Sequence, residues 1–112
     1  MNSIETFKSL LESGNDNALL RYSLGNEYYK VNNLEQALIH LNKALKFDQE
    51  YSAAWKLYAK ILAENEQHAD AITAYEKGVR VAEKNGDMQA VKEMNVFLKR
   101  LKQNKTGSDS GI

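Results

Sequence analysis

The chain has 112 residues, 43% hydrophobic and 27% charged, with 15 basic and 15 acidic side chains and a formal net charge of zero. That length suits one domain, and the absence of cysteine excludes disulfides, thiolate metal sites and thiol nucleophiles. The charge balance lacks the basic surplus that phosphate contacts require, so no nucleic acid is expected as a partner.

The start, Met1-Asn2-Ser3-Ile4-Glu5, lacks the basic and apolar regions of a signal peptide. No apolar run reaches the ~18 residues of a membrane span, so no membrane contact and a cytoplasmic location are expected. Proline is absent and good helix formers are plentiful, which biases the chain to helix.

In chain order, Ile4, Phe7 and Leu11 share one face of a predicted helix from Ile4 to Ser13, with Ser3 as cap and Gly14 as a left-handed stop. Asn15-Asp16 offers the next cap. The second helix is predicted from Asn17 to Val31, with Leu20, Leu24 and Tyr28 spaced by four. Asn33 with Gln36 forms a capping box for a third helix from Leu34 to Phe47, where Ala37, Leu38, Leu41, Ala44 and Leu45 make one stripe. Ser52 is placed to cap a fourth helix carrying Trp55, Tyr58, Ala59 and Leu62. The fifth runs from His68 to Lys84, and Asn85-Gly86 stops it. The sixth starts at Asp87, carries Val91, Met94, Leu98 and Leu101, and is expected to end at Lys102. Residues 103–112 read as a disordered polar tail. No segment shows the alternation of a half-buried strand.

Helices this short need neighbours to be stable. The pattern recurs with a period of 34 residues: Ala18–Tyr51 aligns with Ser52–Asn85 by side-chain size. Leu24 matches Tyr58, Tyr28 matches Leu62, and Leu41 matches Tyr75. Gly25 matches Ala59, Ala37 matches Ala71, and Ala44 matches Gly78. The small residues let helices approach, and the large ones fill the space between them.

This resembles the tetratricopeptide repeat family, whose pattern calls for Trp, Leu-Gly, Tyr, Ala, Phe and Ala at successive places. The first repeat offers Leu24-Gly25, Tyr28, Ala37, Leu41 and Ala44. The second offers Trp55, Tyr58-Ala59, Leu62, Ala71, Tyr75 and Gly78. Arg21 stands where the family favours Trp, and Gln49 and Glu83 where it has Pro. The resemblance implies an all-α fold, an α-solenoid of antiparallel helix pairs. Two repeats, 18–51 and 52–85, would sit between an N-terminal helix and a C-terminal cap helix, 87–102, all within one domain, 1–102.

Nothing points to catalysis. His40 and His68 stand apart with no carboxylate pattern and read as solvated. No metal site, phosphate loop or cofactor is expected, so the chain reads as no enzyme. Trp55 reads as core. The resemblance places Leu19, Tyr22, Asn26, Tyr29 and Lys30 of the first repeat on a concave groove, with Ala53, Lys56, Lys60, Ala63 and Glu64 of the second. Ala90, Met94 and Phe97 are suggested from the cap helix. Tyr22, Asn26, Tyr29, Lys30, Lys56 and Lys60 are the expected partner-binding residues. They combine aromatic area, an amide and positive charge.

Some family members grip a chaperone's C-terminal carboxylate with a Lys/Asn/Asn/Lys/Arg clamp. Asn26 fits its first Asn, but Tyr22 and Leu57 replace the neighbouring Lys and the second Asn, and the remaining basic pair has no third full repeat to carry it. No such clamp is therefore expected. The implied function is an interaction scaffold whose groove takes a peptide or helix of another protein. The alternative is a self-associating subunit, a homodimer through terminal helices, with Phe97 and Met94 or Ile4 and Phe7 at the contact.

Overall fold

The computed structural model describes residues 2–110, with side chains through Gln103. Among the described residues there are six helices and no strand: α1 (Ser3–Glu12), α2 (Ala18–Lys30), α3 (Leu34–Phe47), α4 (Ser52–Glu64), α5 (His68–Asn85) and α6 (Met88–Ser110). They form an elongated stack of 53 × 31 × 19 Å.

The helix starts follow from side chains that satisfy orphan backbone donors. Asn2 Oδ1 accepts from the Glu5 N–H at 2.9 Å, Asn17 Oδ1 from Leu20 at 2.8 Å, Asn33 Oδ1 from Gln36 at 3.2 Å and Asp87 Oδ1 from Ala90 at 3.2 Å. Ser3 and Asn15-Asp16 are therefore not the caps expected of them; in each case an asparagine one or two residues away does this. Ser52 caps nothing either. Its hydroxyl donates to Asp87 Oδ2 at 3.3 Å, which ties the start of α4 to the start of α6. Asp16, free of the capping role, binds Arg21.

The turns repeat as the helices do. Asn32 (φ 60°) and Glu66 (φ 63°), one 34-residue period apart, are both left-handed and close the hairpins α2–α3 and α4–α5. Gly86 (φ 74°) stops α5 as expected. The last helix differs from expectation: α6 continues to Ser110, beyond Lys102. No proline interrupts it, and Gln103 and Lys105 favour helix, so the backbone ladder continues. Residues 111–112 of the expected tail lie outside the described residues.

Packing follows the size pattern. Each hairpin is held by close approach at a small residue. A Cβ on Gly25 would lie 2.6 Å from Leu41 Cγ across the α2–α3 contact, and one on Gly78 2.7 Å from Met94 Sδ and 3.0 Å from Trp55 Cβ. Leu24, Leu41, Ile61, Tyr75 and Met94 are fully buried around these contacts. One core cluster joins Ala37, Leu41 and Leu45 to Ala54 and Ile61; a second joins Ala59, Leu62, Ala71 and Tyr75 to Met94 and Leu98. Leu38, Trp55 and Tyr58 pack against both, so the core runs through the stack. Helix α1 buries no residue fully and packs only on α2.

Two side chains differ from expectation. Trp55 is half-buried rather than enclosed; its indole N–H donates to the Gln49 carbonyl at 2.9 Å, and its ring meets Tyr58 edge-on at 6.3 Å. His40 is buried, not solvated. Its Nδ1 lies 3.1 Å from Arg21 Nη1, and its ring stacks on Tyr28 at 5.4 Å. Arg21 also grips both Asp16 carboxylate oxygens, at 2.7 and 2.8 Å.

The repeat explains this column. Arg21 and His40 occupy the places of Trp55 and Ala74 in the second repeat. Where one repeat fills the space with a large and a small apolar residue, the other uses two planar polar groups that satisfy each other. Arginine only donates, so Nδ1 accepts and the imidazole is neutral. Burial holds His40 below its ordinary pKa, and the Arg21 charge adds to this. The bond to Arg21 lowers the Asp16 carboxyl.

Candidate functional site

The stack has unequal faces. The backbones of α2 and α4, and of α4 and α6, approach closely, whereas those of α3 and α5 stay apart. The chain is therefore drawn together along α2, α4 and α6, which makes that side concave.

On this face the expected residues sit in contacts between helices. The Tyr22 ring lies 5.1 Å from Tyr51, tilted by 34°. Asn26 is half-buried, and its amide makes no side-chain hydrogen bond among the described residues. Tyr29 donates its hydroxyl to Glu64, at 2.7 Å to one carboxylate oxygen and 3.0 Å to the other. That bond stabilises the neutral phenol and pushes its pKa up to about 12. The Lys60 ammonium lies 5.4 Å from the centre of the same ring. Lys56 forms an ion pair with Glu93 of α6, which Gln89 also contacts at 2.9 Å. Both contacts hold the Glu93 carboxyl low, the bond to Lys56 first. Lys30 turns to Glu27 on its own helix at 2.8 Å.

The structure thus joins Tyr29 to Lys60 directly and gives Tyr22, Lys30 and Lys56 other partners. Three of these were missed in the sequence: Glu93, Tyr51 and Glu27. Glu93 stands 37 residues after Lys56, and Glu64 stands 35 after Tyr29. A separation slightly above one repeat is the signal that could have found them, because it places residues on neighbouring inner helices. Met94, suggested for the groove and for a contact between copies, is fully buried beneath Gly78, since it fills the notch that the glycine leaves. Ala90 is buried beside it. Phe97 does reach the surface, stacked on Tyr75 at 6.0 Å with the Arg100 guanidinium 5.7 Å from its ring. Burial pushes the Tyr75 hydroxyl up to about 12, and Glu64 and Tyr29 add to the shift.

The result is a groove whose charges cancel. Lys56 faces Glu93, Lys60 and Glu64 both meet Tyr29, and Lys30 faces Glu27. What remains for a ligand is aromatic and aliphatic surface (Leu19, Tyr22 and Phe97) beside the free Asn26 amide. Among the described residues there is no cluster of three metal-ligating side chains, and no helix is long and apolar enough to cross a membrane.

These features define a class: an α-solenoid of stacked antiparallel hairpins with a concave inner face. The sequence profile described as tetratricopeptide repeat matches residues 2–61. A TPR repeat-containing protein of Pseudomonas aeruginosa is 42% identical over 103 residues, 92% of this chain and 98% of that one. The solution structure of a protein from Bordetella parapertussis, 41% identical, superimposes with a TM-score of 0.82 and covers 93% of this chain and 90% of its own. The TPR2B domain of yeast Sti1, in a complex with pHsp70, superimposes at 0.83 over 91% of this chain and 82% of its own, with 13% identity, a likeness of fold alone. The chain belongs to the tetratricopeptide repeat family, whose members generally mediate protein–protein interactions and are generally not enzymes.

Proposed function

We propose that this chain is a non-catalytic binding module that holds a peptide or helix of another protein in the groove of α2, α4 and α6. The observation that carries this reading is the groove's lining. Half-buried tyrosines are fixed in place by Tyr51 and Glu64, and the Asn26 amide is left to bond a partner's backbone. Rigid aromatic anchors bind with little entropy to lose, and tyrosine is enriched where interfaces concentrate their energy. Because the groove's lysines have internal partners, the segment it favours is apolar or aromatic rather than acidic. A chaperone C-terminal carboxylate is accordingly not its ligand. The yeast neighbour's complex is an instance of the same fold holding a ligand in another protein.

Site-specific photocrosslinking tests the proposal. A crosslinker at position 26 in the native host should capture one discrete polypeptide, and Tyr22→Ala with Tyr29→Ala should abolish the capture. A crosslinker at Glu35, on the opposite helix row, should not capture it. Capture from position 35 alone would refute groove binding.

A further inference from the structure

The opposite face carries a second recessed surface. Because the backbones of α3 and α5 stay apart, a cleft of about 740 Å³ opens between them. Its floor is the exposed side of Trp55 with Tyr58 and Leu62. Its rim carries Lys46 from α3 and Lys77 and Arg80 from α5, against a single carboxylate, Asp70, which accepts from Gln67 at 3.2 Å.

Of the groove's lysines, Lys30 and Lys56 are paired, and Lys60 lies against the Tyr29 ring whose hydroxyl carries the Glu64 carboxylate. Among the described residues, Lys46, Lys77 and Arg80 have no carboxylate within ion-pair distance. Nor is their position accidental in the repeat: Lys46 and Arg80 are one period apart, so each outer helix carries a cation at the same place. Both line the same cleft as Trp55. Lys77 lies 5.8 Å from the Trp55 ring, and the indole N–H is already satisfied by Gln49. What the cleft offers is an aromatic floor held in one orientation beneath uncompensated positive charge.

We propose that this convex cleft is a second docking site, and that its occupant is an acidic linear segment of a protein partner with an apolar side chain to set on Trp55. Carboxylates would meet Lys46, Lys77 and Arg80, and the apolar side chain would cover the indole face. The apolar floor, the Asp70 carboxylate in the cleft and the zero net charge of the chain favour a peptide over a nucleic acid. The site is separate from the concave groove, so one module would hold two segments, an apolar one inside and an acidic one outside.

Trp55 is the only tryptophan, so its emission reports on the cleft directly. The probe is a synthetic ten-residue peptide of Glu and Asp with a central Leu-Phe pair. The controls are the same peptide with Lys for each acid, and a ten-nucleotide oligothymidine. Saturable change in Trp55 emission and in amide shifts of α3 and α5 is expected with the acidic peptide. The double variant Lys77→Glu/Arg80→Glu should weaken it by about tenfold or more while its Tm stays within a few degrees, and Tyr22→Ala should leave it unchanged. No saturable binding up to millimolar peptide would overturn the proposal. So would undiminished binding by the folded double variant, equal binding of the Lys peptide, or tighter binding of the oligonucleotide.

Discussion

Replacing Gly25 by Ala tests the close approach on which the first hairpin rests. In an open helix this change stabilises by about 0.5–1 kcal/mol, because glycine loses more backbone entropy on folding. Here the new methyl would lie 2.6 Å from Leu41 Cγ and 3.3 Å from the Ala37 carbonyl. Carbon atoms prefer about 3.5–4.0 Å, so the overlap is roughly 1 Å. Leu41 is fully buried and cannot swing into solvent, and the carbonyl belongs to the helix itself. Overpacking costs about 1–3 kcal/mol, and an overlap this deep against a fully buried side chain belongs in the upper part of that range, about 2–3, which outweighs the entropy gain and leaves a net loss of about 1–2 kcal/mol. For a domain of this size that lowers Tm by roughly 4–12 °C. Thermal and urea melts of G25A read it directly. A Leu41→Ala background sharpens the test. With Leu41 truncated the methyl has room, so G25A should become stabilising there by about 0.5–1 kcal/mol. A G25A protein as stable as the parent, or an effect of the same sign in both backgrounds, would refute the argument that glycine is needed for space.

Two further outcomes follow from the buried polar column and from the half-buried indole. His40 titrates below its ordinary value of about 6.5 in the folded chain, so the unfolded chain binds that proton more readily. Stability should therefore be highest above that value and fall as pH drops through it toward the folded pKa; urea melts between pH 8 and 5 measure the slope, and His40→Gln should flatten it. Trp55→Ala should cost about 2–3 kcal/mol, less than the ~3–5 of an enclosed tryptophan, because part of its ring stays exposed; a loss at the upper value in a urea melt would show the indole to act as a fully enclosed side chain.

The hairpins and their order were legible because each obeys a rule with a local cause. The apolar stripe from Ala37 to Leu45, the Asn33 cap and the Gly86 stop all lie within a few residues of what they determine, and the predicted span of α3 matches the observed Leu34–Phe47. The caps that misled, Ser3 and Ser52, have an equally capable neighbour or a distant partner. Trp55 misled for a different reason. The repeat pattern says which side of a helix a residue occupies, but not that α3 and α5 splay apart above it. His40 misled because its burial depends on Arg21 holding it, 19 residues away on another helix.

The residues expected to meet a partner show the same division at longer range. Their place on the inner face follows from the repeat, but their chemistry is decided by partners about one repeat further on. Lys56 reads from the sequence as free positive charge until α6 sets Glu93 against it. Lys60 reads likewise until Tyr29 slides beneath it, carrying the Glu64 carboxylate on its hydroxyl. A ligand that displaced Glu93 from Lys56 would exchange one exposed ion pair for another, and such pairs contribute only about 0–1 kcal/mol. Acidity in a ligand therefore gains it little on this face, whereas covering Tyr22 and Leu19 removes apolar area from water at about 25 cal/mol per Å². On the proposed function, selectivity in the groove would rest on shape and apolar contact. On the proposal of a second docking site, selection for charge would fall to the cleft between α3 and α5, where Lys46, Lys77 and Arg80 have no carboxylate partner among the described residues to give up.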